Sequence, residues 1–382
     1  MPLQVDNMTL NLNLNPSGLN LKLLIGHNTP KPADALLMNS LQKVEITTSD
    51  GNNNGFQIVF SVGRASLDDT EEYPLLKNKT IKLYNRVIII VYFGLDSKVL
   101  MDGIITRHEF NPSIEPGKST FTITGLDISI AMDVEQKKEE HPEQSADEIV
   151  TNIIKSEPYT EYCLEPDVKP AGKKTNKNES VPKQDETDLE YIKRLADDNA
   201  HIFYIEPTDA PGNNKAYWGP PDLKSKPQKA LLFNMEEFTN VKSITFSTDG
   251  LKASTTQGQT TTEENGKTEE IPKIPKTTNY SSHRLEVINT LKKSKSLSDA
   301  YEKVQNDEIK SGLDVTKVEG ELDFIAYGDV LKVRHPIELR GVGKTYGGKY
   351  YVKEVTHTIT KGSYKQKFKL TRKEPEITGK ED

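Results

Sequence analysis

Hydrophobic and polar residues alternate near the C-terminus, in a segment that ends at Lys373. One face of this segment carries Tyr364, Phe368 and Leu370, and the other carries the basic residues Lys365, Lys367, Lys369 and Lys373. A period of two is typical of a half-buried antiparallel strand, with one side on a core and the other turned away from it. Together with a strand pattern from Lys349 to Thr360 and a short turn, the segment predicts a β-hairpin.

The same unit occurs much earlier in the chain, between Val99 and Gly125, with a longer loop. Here Phe121 and Ile123 alternate with Thr120, Thr122 and Thr124. Two such hairpins predict two related β-domains in one chain. A chain with two copies of one unit is suited to building a ring.

Other strand patterns surround the early hairpin and predict a small barrel or sandwich, at residues 43–47, 56–62, 81–93, 99–110 and 120–126. The middle of the chain differs. Capping boxes at Ser145–Glu148 and Thr187–Glu190 each open an apolar helical stripe. The aromatic strand His201–Ile205 follows the second helix at once, which predicts an α/β packing unit.

The predicted class is therefore α+β and mainly β, with two related antiparallel β-domains, each a small barrel or sandwich, on either side of an α/β middle domain. We predict an N-terminal arm at 1–35, a first β-domain at 36–132, a middle domain at 133–235 with a linker near 169–183, and a second β-domain at 236–382. A polar insertion and helices at about 250–312 interrupt the second barrel, and two amphipathic stretches there, 285–291 and 298–309, are predicted helices.

Composition narrows the functional classes. The formal net charge is −7, which disfavours nucleic acid as the main ligand because phosphate binding requires a basic face. The single cysteine, Cys163, allows no internal disulfide and fits a reducing compartment. The longest apolar run, Val87–Phe93, is far short of a membrane span, and no secretory signal is visible at the N-terminus. We expect synthesis in the cytoplasm and no direct membrane insertion.

Candidate chemistry is sparse. Gly341–Thr345 ends like a phosphate-binding loop, but Glu338 stands where the motif requires its first glycine. The seven histidines form no metal-ligand spacing, and His201, His335 and His357 fall in predicted strands, where a structural role is favoured over metal ligation. No serine, threonine or cysteine lies in the context of an activated nucleophile. We therefore predict no catalytic residues, no metal ligands and no cofactor. Trp218 is either a packed loop anchor or a platform for glycan or peptide.

The lysine row at 365, 367, 369 and 373 is the one polar feature with a defined geometry, since alternation places all four side chains on one face. It is either an ordinary solvated face or a surface that lines a lumen or meets an acidic partner.

Residues 186–204, from Glu186 to Tyr204, closely resemble the signature of baseplate hub proteins. This family includes the phage late-control D proteins, the N-terminal part of the type VI valine-glycine-repeat spike proteins and the hubs of phage-tail-like contractile injection systems. Three other segments agree: Val99–Thr106, Gly328–Val333 and Tyr351–Ile359. The resemblance runs from about Leu41 to Lys373.

The resemblance implies a non-enzymatic homotrimer in which the two β-domains are tube domains. Three chains would form a pseudo-six-fold ring that joins the hexameric inner tube above to the trimeric spike below, with baseplate wedge components around it. No long C-terminal run of repeating β segments follows, so we expect the spike to be a separate polypeptide. The resemblance does not choose between a phage tail, a membrane-anchored system and an extracellular injector.

Two other functions stay open at this stage. A free-standing β-protein could bind glycan or peptide through Trp218 and its loop. A cell-wall hydrolase is the remaining alternative, although the sequence offers no catalytic constellation for it.

Overall fold

A computed structural model describes residues 12–13, 19–27, 29–51, 54–63, 73–94, 96–171, 181–249, 254–256, 259–261, 268–270, 287–289 and 316–372. The early part contains a short helix and eight strands. These are β1 (Leu12–Asn13), β2 (Leu19–Gly26), β3 (Lys31–Pro32), α1 (Ala35–Ser40), β4 (Leu41–Ser49), β5 (Gly55–Ser61), β6 (Arg86–Phe93), β7 (Asp96–Asn111) and β8 (Thr120–Asp127).

The middle part combines helices with two small sheets. Its elements are β9 (Gln136–Glu140), α2 (Ala146–Ile154), β10 (Leu164–Val168), β11 (Lys183–Thr187), α3 (Asp188–Asp198), β12 (Ile202–Pro207) and β13 (Asn214–Gly219). Both predicted capping boxes are confirmed: the Thr187 amide donates to Glu190 and the Ser145 amide to Glu148, at 3.3 and 3.1 Å. β13 lies between β10 and β12, and β9 pairs with β11.

The late part returns to strands. It contains β14 (Gln228–Leu232), β15 (Val241–Thr248), β16 (Ser254–Thr256), β17 (Gln259–Thr261), β18 (Thr268–Glu270), β19 (Val287–Asn289), β20 (Thr316–Asp323), α4 (Phe324–Tyr327), β21 (Pro336–Arg340), α5 (Gly343–Tyr346), β22 (Gly348–Thr360) and β23 (Ser363–Arg372). The helix predicted at 285–291 is wrong, because β19 lies inside it and pairs with β16. The helix predicted at 298–309 falls outside the described residues.

The two predicted hairpins belong to five-stranded sets with the same connectivity. The early set has the order β4-β5-β8-β7-β6, and the late set has the order β15-β20-β23-β22-β21. The first strand of each set, β4 or β15, has a register shift near its start, at Leu41/Lys43 in β4 and at Val241/Ser243 in β15. The long first strand of each hairpin, β7 or β22, also has a register shift, at Ile105/Arg107 in β7 and at Val352/Glu354 in β22. The two sets are therefore structural copies, strand for strand.

One antiparallel junction joins the copies. β4 of the early set pairs with β22 of the late set over seven residue pairs, from Ser49 opposite Glu354 to Lys43 opposite Thr360. The mainly β, α+β class is confirmed. Separate closed barrels are not observed among the described residues, because β22 supplies the neighbour of β4 and the two sets merge into one open sheet. The domain boundaries remain predictions.

Buried side chains form three main clusters. The first lies under the early set and also takes in Phe324, Ile359 and Tyr364 of the late part. The second is formed by the middle part around Trp218 and Tyr191. The third lies under the late set around Val352 and Phe368. The late hairpin therefore contributes to two cores, which fixes the early and late sets against each other.

Candidate functional site: a polar face shared by the two copies

One face of the merged sheet is polar from the early set to the late set, and we call it the polar face. Cross-strand register places consecutive members side by side, for example Gln57, Glu45, Thr358 and Lys365 on neighbouring strands. Alternation sends the intervening residues, such as Ile58, Ile46 and Ile359, into the core, where each is at most 2% exposed. The polar face is thus a consequence of strand period and register together.

The positive and negative charges on the polar face nearly cancel. The basic members are Lys43, Arg107, Lys317, Lys365, Lys367 and Lys369, and the acidic members are Glu45, Glu109, Glu319, Glu321, Asp323 and Glu354. These six basic and six acidic side chains cancel, and Lys242, at the register shift of β15, pairs with Asp323 at 3.1 Å and adds one positive charge, so the face is close to neutral. Threonines fill much of the remaining area, at 47, 120, 122, 124, 245, 356, 358 and 360.

The lysine row lies on β23 in the centre of the late half of this face. Lys365 pairs with Glu321 at 3.0 Å and Lys369 pairs with Glu354 at 2.8 Å. The hydrogen bond from Lys369 to Glu354 raises the pKa of that lysine. Lys367 is exposed and stands opposite Glu321. The described part of the row is therefore flanked by carboxylates of its own chain, and it is not a continuous basic strip.

Lys373 falls outside the described residues. The other three lysines share one face, as predicted from alternation. The early half of the face shows the same internal pairing, since Lys43 binds Glu45 at 2.6 Å and Arg107 binds Glu109 at 3.0 Å. These exposed pairs each contribute little to stability, but they leave the face polar and close to neutral.

At the β4–β22 junction the polar face is continuous. The hydroxyl groups of Thr47 and Thr356 lie 3.1 Å apart across the two strands. A side-chain hydrogen bond at this point connects the early and late halves directly. The junction is thus closed by side chains as well as by the backbone ladder.

A buried polar cluster supports the junction from behind, centred on Arg334, which is 4% exposed. Its guanidinium donates to the carbonyl of Ser49 and to Oδ1 of Asn54 at 3.3 Å, and it stacks 4.1 Å from the ring centroid of Tyr204. Arg334 therefore connects the late set, the turn after β4 and the middle part. A buried guanidinium with so many partners holds a fixed geometry.

Asp127 completes this cluster and accepts a hydrogen bond from the side chain of Asn54 at 2.7 Å. Burial raises the pKa of Asp127, while hydrogen bonds from Ser129 and Asn54 and the charge of Arg334 act in the opposite direction. Removal of any member would leave a buried polar group without compensation.

A second buried pair ties the early set to the middle part. Arg86 binds Asp102 through two parallel hydrogen bonds of 2.7 and 2.6 Å and also donates to the carbonyl of Gly212 at 2.9 Å. The cavity beside it, lined by His27, Tyr84, Arg86, Ile104, Glu161 and Tyr162, has a volume of about 30 Å³. A space of this size holds about one water molecule, so it offers no room for a substrate.

Trp218 is fully buried, and its indole nitrogen donates to the carbonyl of Ile192 at 3.3 Å. This position excludes the role of a glycan or peptide platform and confirms that Trp218 is packed; the prediction that it lies in a loop is wrong, because it belongs to β13. The loop at Gly341–Thr345 connects β21 to β22 and contains only the single helical turn α5, so it lacks the full helix that a phosphate-binding loop opens, as well as the first glycine of the motif. Of the three histidines predicted in strands, only His357 lies inside one, whereas His201 and His335 precede β12 and β21.

Within the residues that the structure covers, no three His, Cys, Asp or Glu side chains gather as a metal site would require. Over the same residues, none of the helices combines the length and the apolar character needed to cross a membrane. The polar face and its supporting junction are therefore the feature around which a function can be argued.

Comparisons with solved structures identify the fold. The chain is similar to the tail protein of Neisseria meningitidis MC58, with a TM-score of 0.65, 11% identity, and coverage of 93% of this chain and 96% of that one. It is also similar to the 43 kDa tail protein of prophage MuSo2 from Shewanella oneidensis, with a TM-score of 0.62, 14% identity, and coverage of 92% and 98%.

A third similar structure is the E. coli c3393 protein, a component of the type VI secretion system, with a TM-score of 0.52, 10% identity, and coverage of 87% of this chain and 73% of that one. The resemblance to baseplate hub proteins is thus confirmed at the level of the fold. No curated protein sequence matches the chain. A family model described as the Alg8 N-terminal domain matches residues 57–361, which is most of the chain.

Proposed function

We propose that this chain, which belongs to the Alg8 N-terminal domain family, is a structural baseplate hub in a phage tail or a contractile injection particle and is not an enzyme. The observation that carries the proposal is the internal repetition. Two copies of one five-stranded set stand side by side and are joined by a sheet junction. The similarity of the fold to tail proteins agrees with this role.

The hub acts by matching symmetries. Each chain supplies two equivalent units, so three chains supply six positions around one axis. Such a homotrimer presents a pseudo-six-fold surface to a hexameric inner tube and keeps three-fold symmetry toward a trimeric spike. Inner tube, spike and baseplate wedge proteins are its partners in this proposal. The early and late sets are the two tube domains, and the middle part packs beside them.

The polar face lines the channel of the ring in this proposal. A translocated polypeptide is held by apolar patches and by strong single-sign fields, because both bind unfolded or charged chains. The polar face has neither, since its charges nearly cancel and threonines occupy much of it. Lys365, Lys367 and Lys369 then serve the channel as members of a mixed, self-paired surface.

Mass measurement in solution tests the hub. The full-length chain is expected to form trimers, and mixing it with the tube and spike proteins of its own particle should give a complex that contains all three. Images of assembled particles should place it between tube and spike. A stable monomer that binds neither protein would count decisively against the proposal.

The channel is tested separately in assembled particles. Charge reversal of Lys367 and Lys369 to Glu changes the face by four charges per chain and should impair assembly or cargo loading. The control for position is Lys361→Glu, which reverses one exposed lysine in the β22–β23 turn, outside the paired positions of the polar face, and changes the charge by two per chain. Particles that carry both reversals and still deliver cargo normally would remove the channel role while leaving the hub intact.

A further inference from the structure

We infer that β15 of one chain pairs with residues 107–111 of β7 in a second copy of this chain, in the antiparallel register set by the junction between β4 and β22. The inference rests on the proposed ring and specifies the contact that joins its members. The strand added at each edge belongs to a second copy of this chain, and the two strands pair in a single register.

The template for this contact is present inside the chain. β4 adds to the free side of β22, so that Ser49 stands opposite Glu354 and Thr47 stands opposite Thr356. The paired half of β22 begins directly after the register shift at Val352/Glu354. This junction joins the first strand of one copy to the long hairpin strand of the other.

The strand equivalences transfer the template to the opposite ends of the sheet. β15 is the counterpart of β4, and β7 is the counterpart of β22, as the shared strand order shows. The register shifts align Ser243 with Lys43 and Arg107 with Glu354. A second junction of the same kind would therefore place Ser247 opposite Glu109.

Among the residues that the structure describes, both partners of this second junction have an edge to which no other strand is paired. Among the described strands, β15 ends the sheet and pairs only with β20. Residues 107–111 of β7 pair with β8 on one side, whereas β6 covers only the earlier half of β7. Unpaired strand edges are templates for another strand, and a protein that keeps them exposed normally has a partner for them.

The apolar residues at these two edges are less buried than their counterparts at the junction between β4 and β22. Val44 and Ile46 on β4 are 0% exposed, because β22 lies beside them. Their counterparts Ile244 and Phe246 on β15 are only partly buried. Phe110 on β7 is also partly buried. A strand added at each edge would remove this remaining apolar surface from water.

The side chains that the register brings together are compatible. Phe246, whose ring lies 4.5 Å from that of Tyr346, would stand opposite Phe110, whose ring lies 5.1 Å from that of Tyr73. An aromatic pair at facing positions would extend both contacts across the strands. Asp249 would stand opposite Arg107, and opposite charges at facing positions favour this register over one in which like charges meet. Ser247 would face Glu109 on the polar side, in the place of the Thr47–Thr356 contact. The contact joins two different edges of the same chain, so it propagates from copy to copy until a ring closes.

Cysteine cross-linking tests the register in the full-length chain, with Cys163→Ser as the background because Cys163 is exposed. A chain with Glu109→Cys is mixed with a chain with Ser247→Cys and oxidised. Disulfides form only where the Cβ atoms come within about 4.5 Å, which one register satisfies. We expect a covalent dimer at twice the chain mass. The double variant Thr47→Cys with Thr356→Cys is the positive control, because those hydroxyls lie 3.1 Å apart within one chain.

Two further variants make the result decisive. Asn111→Cys mixed with Ser247→Cys keeps the same face but shifts the register by two residues, and it should give little covalent dimer. Ser247→Cys alone should also give little, since two β15 edges do not meet in this arrangement. Equal cross-linking through either control overturns the register even if the chain is a trimer. A chain that remains monomeric and uncross-linked overturns both the register and the proposed ring.

Discussion

His357 should remain neutral well below the pH at which an ordinary histidine is protonated. It lies on the core side of β22, directly at the junction, where Ile46 of β4 is its cross-strand neighbour. The ring is 4% exposed, and the Tyr364 hydroxyl lies 3.0 Å from its Nδ1 atom. Burial lowers the pKa of His357 from 6.5 to about 4, because the charged imidazolium would lose its hydration there.

The sign of the pH effect follows from this lowered pKa. The unfolded chain binds the proton below about pH 6.5, whereas the folded chain binds it only near pH 4, so stability falls as the pH decreases through this window. Stabilisation is complete above the unfolded value. With a folded pKa of about 4, linkage gives a loss of roughly 2 kcal/mol between pH 7.5 and pH 5 from this one residue.

Two measurements check this reasoning. An NMR titration of the histidine ring carbons should show one residue that does not titrate above pH 5, and the assignment follows from its absence in the His357→Gln variant. Thermal unfolding of the normal chain should lose more stability between pH 7.5 and pH 5 than unfolding of that variant. A spectrum in which every histidine ring titrates near pH 6.5 would refute the burial argument even if the variant failed to fold.

Three further predictions concern packing and charge. Gly320→Ile should destabilise the late set, since a Cβ at Gly320 would lie 2.4 Å from the ring of Phe368 and 2.6 Å from the backbone carbonyl oxygen of Ser243, and Phe368→Ile should cost about 1–3 kcal/mol. The double variant has the residue types of the Ile58–Ile123 pair of the early set and should recover the part of the loss due to the ring, but not the part due to the Ser243 carbonyl; strictly additive losses in a double-mutant cycle would contradict the ring contact. Arg334→Met should lower stability by about 3–5 kcal/mol in thermal unfolding because it leaves buried polar groups unpaired, whereas the control Arg340→Met, at an exposed pair with Glu338, should change it by at most about 1 kcal/mol. Lys369→Gln should change stability by less than about 1 kcal/mol and reduce its salt dependence, and a larger loss would mean that the pair with Glu354 is more than a solvated contact.

The local elements of this chain follow from local patterns. Alternation at 364–370 identifies the strand β23 and the face that each residue occupies, because a period of two has one structural explanation. The capping boxes at Ser145 and Thr187 identify the starts of α2 and α3, since the residues that satisfy the first amides are adjacent in sequence. The histidines at 201 and 335 fall just outside their strands, which is the normal imprecision of element ends.

The neighbours of each strand could not be predicted in the same way. Alternation specifies which side of a strand is apolar, but it carries no information on which strand lies beside it. Thr47 and Thr356 are 309 positions apart, and nothing local to either residue indicates their contact. The lysine row illustrates the consequence. The sequence contains the glutamates of β20 and β22, but it does not show that they lie beside the lysines. Only the pairing of β20 and β22 with β23 shows that these carboxylates neutralise the lysine row.

Equivalent positions in the two copies differ in sequence but compensate in volume, and this has a bearing on the ring. The early set packs Phe56 opposite Gly125, whereas the late set places Val318 opposite Leu370 at the corresponding pair. One copy combines a large side chain with glycine, and the other combines two medium side chains. Compensation of this kind conserves the core volume, and with it the spacing and register of the strands around it. If the strand frame is conserved inside each copy, its edges are conserved too. A first strand that fits the long hairpin strand of the other copy within one chain should then fit the same strand of the next chain. For this reason the junction between β4 and β22 can serve as the pattern for the proposed ring.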